Sequence, residues 1–190
     1  MDERVIGHRD VGKMIDIVDK LVLNQNLTDE EFLEQAMAVN STAHLEYFDK
    51  ENVRAIGNPT EAALLLYLNK QGRDYKALRE SLTVTERLPF NTERKFMATL
   101  AYDNNGRKHL YIKGAPEVVL SFCNLSDEAR TKAEQTLRGW QQKAMRTLAF
   151  AEQIVDKELN SEFDINVIRL KTCEINHIVS QSNGDLKNFR

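Results

Sequence analysis

Within this chain of 190 residues, two lysines, a phenylalanine and a methionine stand at strand spacing in a pattern suited to an anionic, aromatic ligand. Phe90 and Lys95 precede Met97 in the run Arg87-Leu88-Pro89-Phe90-Asn91-Thr92-Glu93-Arg94-Lys95-Phe96-Met97. After a turn at Asn104-Asn105-Gly106 the chain returns along His109-Leu110-Tyr111-Ile112-Lys113 to Gly114-Ala115-Pro116-Glu117. Two extended runs around a glycine-containing turn make a hairpin. Strand side chains alternate with a period of two, so the loop length decides which of them share a face. A two-residue Asn105-Gly106 turn pairs Ala98 with Lys113 and sends Lys95 to the far face. A three-residue loop, with Gly106 in the left-handed region, pairs Met97 with Lys113 and puts Lys95, Met97 and Lys113 on one face. The second register is expected here. It sets two cations beside an apolar, polarizable side chain, with Phe90 at the strand's start: an aromatic ring for a base and ammonium groups for phosphates. Taken singly, each residue has a plainer reading, with Phe90 as core, the lysines as solvated strand ends, and Gly114 as the turn into a helix beginning at Pro116.

Four ordered segments carry a resemblance that changes the weight of those readings. Phe90 to Met97 resembles the F-x-x-x-R-K-x-M segment, and Lys113-Gly114-Ala115-Pro116-Glu117 the K-G-A-P-E segment, of the nucleotide-binding domain of P-type cation-transporting ATPases. Gly57-Asn58-Pro59-Thr60-Glu61-Ala62-Ala63-Leu64 matches before the hairpin and Met145-Arg146-Thr147-Leu148-Ala149 after it. The likeness covers roughly residues 20 to 151, the size of one domain. It implies an α+β fold, a twisted antiparallel β-sheet flanked by helices. It implies ATP and ADP as ligands, with Phe90 stacked on adenine, Glu61 at the amino edge of the base, Met97 and Leu148 lining the pocket, and Lys113 at its depth. Gly114 and Ala115 are small enough for close approach, and Lys95 and Arg146 meet the phosphates. Magnesium is implied with the nucleotide, held mainly by a separate phosphorylation domain; that domain and the actuator domain of the parent pump are the implied partners. The N-P-T-E-A-A-L and F-x-x-E-R-K-x-M forms look most like calcium pumps. Thr92 departs from the pattern, since many calcium pumps carry an arginine two residues after the pocket phenylalanine.

P-type pumps form an aspartyl phosphate within a D-K-T-G-T segment, and this sequence has neither that segment nor an apolar run of the roughly 18 residues that span a bilayer. The chain therefore resembles an excised soluble domain at the cytoplasmic face of a membrane protein, expected to present ATP without hydrolysing it alone and without touching the membrane itself. No G-x-x-x-x-G-K-[ST] loop is present, against an ordinary P-loop enzyme. The rival is a regulatory or scaffold module that keeps the fold and binds a protein through its helical faces. Such a module would have no need to keep Phe90, Lys95, Lys113 and Arg146 together.

The balance of 26 basic against 29 acidic residues gives no basic field for nucleic acid, which is not expected as a partner. Cys123 and Cys173 are read as buried or free thiols, and His8, His44, His109 and His177 lack metal-ligand spacing, so no metal site is expected.

Several local signals fix the elements that must hold the hairpin. Thr28-Asp29-Glu30-Glu31 reads as a capping box before a helix whose stripe is Phe32, Leu33, Ala36 and Met37. Asn58-Pro59-Thr60-Glu61 opens a second helix after a loop from Asn40 to Gly57; by itself Glu61 there is a capping-box carboxylate, and both that role and a base contact stay open. A short helix over 74–82, a strand over 83–88, helices opening at Pro116 and after Ser126, and a strand from Arg146 to Ala151 follow. Residues 1–19 read as linker or an opening strand near Met14 to Val18, residues 20–151 as the domain core, and 152–190 as a polar extension with one or two strands between Val167 and Ile178.

Overall fold

Segments in which apolar and β-branched residues alternate collect into one antiparallel sheet. The computed structural model describes residues 17–22, 29–48, 53–123, 125–155 and 174–181. Six strands lie in the order β1 (Ile17–Val22), β8 (Glu174–Gln181), β7 (Arg146–Val155), β6 (Lys108–Gly114), β5 (Phe96–Tyr102) and β4 (Thr83–Leu88), each antiparallel to its neighbours. β2 (His44–Tyr47) and β3 (Val53–Ile56) form a separate two-stranded sheet. The helices among the described residues are α1 (Asp29–Val39), α2 (Pro59–Lys70), α3 (Tyr75–Glu80), α4 (Pro116–Phe122) and α5 (Asp127–Gln142). The fold is α+β, as expected: an antiparallel sheet flanked by helices.

Period-two alternation splits the sheet between two cores. On one face Ala101, Tyr111 and Phe150 pack with Phe32, Leu33, Ala36 and Met37 of α1 and with Leu65 and Leu68 of α2. On the other, Phe96, Ala98, Leu100, Leu110 and Ile112 pack with Val119 and Leu120 of α4 and with Ala133, Leu137 and Trp140 of α5. Both faces of β5 and β6 are thus covered, which is why these strands are buried nearly end to end.

Their register follows from the turn. Gly106 has φ of 75°, its N–H donates to Asp103 O at 2.9 Å, and Asp103 N–H donates to Arg107 O at 2.9 Å. Asn104, Asn105 and Gly106 therefore make the three-residue loop, and Met97 stands opposite Lys113. Asp103 secures it further, its Oδ1 accepting from the N–H groups of Asn105 and Arg107 at 2.9 and 2.8 Å.

The helix signals hold where they are described. Asn58 Oδ1 accepts from Thr60 N–H at 2.9 Å with Pro59 at the first helical position, Asp74 caps α3, and Ser126 Oγ accepts from Ala129 N–H. Thr28 lies outside the described residues, as do Cys173, His8 and residues 1–16. Cys123 is buried, and its thiol donates to Val119 O at 3.1 Å. Two expectations need correction. The span read as a loop from Asn40 to Gly57 contains β2 and β3, whose four-residue runs are too short to show a period in sequence. Glu152 and Gln153, read as the start of a polar extension, are buried within β7, which runs on to Val155 and pairs with β8.

Candidate functional site

Met97, Lys113 and Phe150 lie side by side on adjacent strands, paired as Met97 with Lys113 and Lys113 with Phe150. All three are buried, so an ammonium group sits between two large apolar side chains. A buried charge has to be hydrogen-bonded and paired. Lys113 Nζ donates to Asn40 O at 2.6 Å and lies 3.4 Å from Glu61 Oε1. Burial pushes its pKa down to about 8; the Glu61 charge opposes that fall, while Arg79 and Arg87 add to it.

Asn40 brings the lysine to the end of α1. That helix has no basic residue in its own last turn, yet its C-terminal carbonyls attract cations from three other elements. Arg79 of α3 donates to the carbonyls of Ala38 (2.6 Å), Ser41 (3.2 Å) and Ala43 (2.7 Å), Arg87 of β4 to Val39 O (3.1 Å), and Lys113 of β6 to Asn40 O. The Asn40 side chain ties the same point to the sheet. Its Nδ2 donates to the carbonyls of Met97 and Tyr111 at 3.4 Å, and its Oδ1 accepts from Thr99 Oγ1 at 2.8 Å.

Glu61 supplies the opposite charge. Its N–H is capped by Asn58, but its carboxylate does not reach back to that residue. Oε2 instead accepts from Thr42 N–H (2.6 Å), Thr42 Oγ1 (2.9 Å), Ala43 N–H (3.2 Å) and Ser41 Oγ (3.3 Å). Burial works to raise its pKa, and the charge of Lys113 with the Thr42 donors outweighs it, leaving the carboxyl below its ordinary value. The capping-box reading of Glu61 is thereby corrected: the loop after α1 offers more donors than the Asn58 backbone.

The exposed part of the candidate site is the connection from β4 to β5. Phe90 is 48% exposed there. Asn91 folds the loop on itself, its Oδ1 accepting from the N–H groups of Glu93 and Arg94 and its O accepting from Lys95 N–H at 2.7 Å. Arg94 Nη2 donates to Pro89 O at 2.9 Å, bracing the residue before Phe90. This turn corrects the placement of Lys95. Its φ of 61° takes it out of the strand, so alternation stops at Phe96 and Lys95 does not share the face of Met97 and Lys113. Its side chain is 57% exposed, with Nζ 3.9 Å from Glu117 Oε1.

Gly114 and Ala115 close the same end of the sheet. A Cβ on Gly114 would collide with Lys95 O and stand 2.6 Å from Phe96 Cβ, so the close approach needing glycine is that of the chain's own β5. Ala115 N–H donates to Lys95 O at 2.9 Å and its residue caps α4. On β7, Arg146 is exposed and Leu148 half-buried against the first core, on the face of Phe150. Phe90, Lys95, Gly114, Ala115, Arg146 and Leu148 thus gather at one end of the sheet, with Met97, Lys113 and Glu61 buried next to it. Sequence reasoning missed Asn40, Thr42, Arg79 and Arg87; the only local signal was the polar run Asn40-Ser41-Thr42 directly after an apolar helical stripe.

The sequence matches the family profile described as P-type ATPase, cytoplasmic domain N over residues 29–180. It is 31% identical over 174 residues to calcium-transporting ATPase 1 of Lactococcus lactis, an alignment covering 81% of this chain and 20% of that protein. It is 34% identical over 133 residues to calcium-transporting ATPase PAT1 of Dictyostelium discoideum, covering 64% of this chain and 12% of that protein. With cation-transporting ATPase pma1 of a Synechocystis species it shares 33% identity over 109 residues, covering 53% and 12% respectively. The chain therefore spans a fifth or less of the length of these relatives.

Proposed function

The chain belongs to the P-type ATPase cytoplasmic N-domain family, and from that membership we propose that it binds ATP and ADP and presents ATP to a separate phosphorylation domain, where an aspartyl phosphate forms. The parent protein on this reading is an integral membrane pump that transports calcium, and the chain lies at its cytoplasmic face, with the phosphorylation and actuator domains as partners. Among the described residues no helix is long and apolar enough to cross a membrane.

The observation that carries the reading is the half-exposed Phe90 ring, held out on a self-braced turn beside a buried Lys113–Glu61 pair. Asn91 and Arg94 hold the backbone on either side of this ring. The types of these residues support the nucleotide reading. Phe90 offers a face for adenine, Met97 and Leu148 line an apolar wall, and Lys113 and Glu61 lie at its depth. Gly114 packs against β5 and Ala115 opens α4 at the same end of the sheet, and Lys95 and Arg146 are exposed cations for phosphates. Among the described residues no three His, Cys, Asp or Glu side chains gather to hold a metal, so Mg²⁺ would travel on the triphosphate and be held by the phosphorylation domain. The contribution of this chain is proximity: it holds the γ-phosphate for a nucleophile on another domain.

Calorimetric titration of the chain with ATP and ADP tests this. Saturable binding of both is expected, weakened in Phe90→Ala by about 1–3 kcal/mol, the usual worth of a base stacked on an aromatic ring. No sustained phosphate release is expected with magnesium and ATP. Absence of saturable nucleotide binding would favour the scaffold reading.

A further inference from the structure

We propose that Arg94 is a positioning residue for the Phe90 ring: it ties the backbone on both sides of Phe90 to itself, holds the ring ready for a base, and does not meet the phosphates. This inference rests on the nucleotide site proposed above and deepens it.

The first ground is how little else places the ring. Among the described residues Phe90 packs into neither core and stacks on no other aromatic ring. Its direction is therefore set by the main chain that carries it. Pro89 fixes its own φ on the entering side, but the rigid peptide plane that joins it to Phe90 still turns about ψ unless the carbonyl is held. Arg94 holds it, with Nη2 donating to Pro89 O at 2.9 Å. On the leaving side Arg94 N–H donates to Asn91 Oδ1 at 3.3 Å, beside Glu93 N–H at 2.7 Å. Arg94 thus bonds to the residue before Phe90 with its side chain and to the residue after it with its main chain.

The second ground is where the guanidinium faces. Nη2 is engaged by Pro89, and among the described residues Nε is buried without an acceptor. Two of the three nitrogens are turned to the protein, and a covered donor left unpaired costs the fold stability. The next residue has the opposite arrangement. Lys95 has its main chain pinned, N–H to Asn91 O at 2.7 Å and O to Ala115 N–H at 2.9 Å, while its side chain stands exposed. The turn divides two tasks between neighbours: Arg94 shapes the loop and Lys95 carries the exposed charge. Because those two main-chain bonds do not involve the Arg94 side chain, shortening that side chain loosens the Pro89 end and leaves the 91–95 turn closed.

The experiment is a calorimetric titration of the whole chain with ATP, ADP and AMP at low and high salt, in wild type, Arg94→Met, Phe90→Ala and the double variant. Arg94→Met should weaken all three nucleotides by one common factor of about two- to tenfold, the cost of ordering on binding a side chain that was already set. That factor should hold at high salt. In the Phe90→Ala background the same substitution should change affinity by less than about twofold, because the ring through which Arg94 acts is gone. If Arg94→Met does not fold, Asn91→Ala releases the other tie and should show the same pattern. A loss that grows from AMP to ATP and fades with salt identifies a phosphate contact and overturns the proposal. An equal loss with and without the Phe90 ring also overturns it, since that is what a purely structural role would give. A wild type that binds no adenine nucleotide, or that binds as well after Phe90→Ala, refutes the site itself, and this is read without any Arg94 variant.

Discussion

Replacing Gly114 by alanine should unseat the end of the hairpin that carries the proposed site. The added Cβ would stand 2.6 Å from Phe96 Cβ and 2.7 Å from Phe96 Cα, and closer still to the Lys95 carbonyl oxygen. Two of these atoms are backbone, so no side-chain rotation relieves the collision. Phe96 cannot retreat easily either, because its ring packs edge-on against Phe122 with centroids 5.1 Å apart. Lys95 O is also the acceptor for Ala115 N–H. Overpacking by one methylene costs about 1–3 kcal/mol, and for a domain of this length each kcal/mol lowers the melting temperature by about 2–4 °C. The Gly114→Ala melt should therefore fall by roughly 2–12 °C.

Two other glycines calibrate that number. Gly106→Ala meets open space but must hold φ of 75°, a left-handed conformation costing about 1–2 kcal/mol. Gly139→Ala lies within α5 with nothing within 4 Å, and should gain about 1 kcal/mol of helix propensity. Differential scanning fluorimetry reads all three, with ATP titration alongside. Gly114→Ala should also weaken nucleotide binding, because Lys95 anchors the turn that presents Phe90, whereas Gly139→Ala should leave binding alone. A Gly114→Ala protein that melts with wild type would show that β5 and β6 do not approach as closely as described, and the account of this glycine would fail with it.

Two further outcomes are expected. The Glu152 hydrogen bond at 2.6 Å chiefly raises the pKa of His109, against burial and with help from Asp103 at 3.3 Å. A histidine whose folded pKa exceeds its unfolded value stabilises fully below about pH 6.5 and loses that contribution as pH rises through the folded value. The advantage of wild type over His109→Gln in denaturant melts should accordingly shrink between mildly acidic and alkaline pH; a constant difference would contradict the pairing. Thr92 is exposed on the Phe90 turn, so Thr92→Arg should tighten ATP more than AMP at low salt, by about 0–1 kcal/mol, with the gain fading as salt rises. Equal effects on the two nucleotides would remove position 92 from the phosphate side.

What could be read in the sequence was whatever a few adjacent residues decide. A left-handed Gly106 suits both the two-residue and the three-residue loop, so in sequence the register with Met97 against Lys113 is chosen by the side chains it gathers, and the turn of the structure has that register. Asn58-Pro59 fixed the start of α2 locally. Lys95 was misplaced because its conformation depends on Asn91 folding the loop onto itself, a competition between an Asx turn and a continuing strand that alternation cannot see. Glu61 was half legible: its position at the third residue of a helix was plain, but its carboxylate partners lie 18 to 52 residues away along the chain.

Those distant partners explain why the fold tolerates so many charges inside. The carbonyls of Ala38, Val39, Asn40, Ser41 and Ala43 are left over when α1 ends, and they would be unsatisfied if the helix end were buried against apolar surface. Arg79, Arg87 and Lys113 satisfy them, so the cations are first of all a structural answer to a helix terminus. With Glu61 as the opposing charge, three positive groups face one negative one. In the proposed site this excess of charge is already fixed by the core, so the ordering that binding would still have to impose falls on the exposed Lys95 and Arg146.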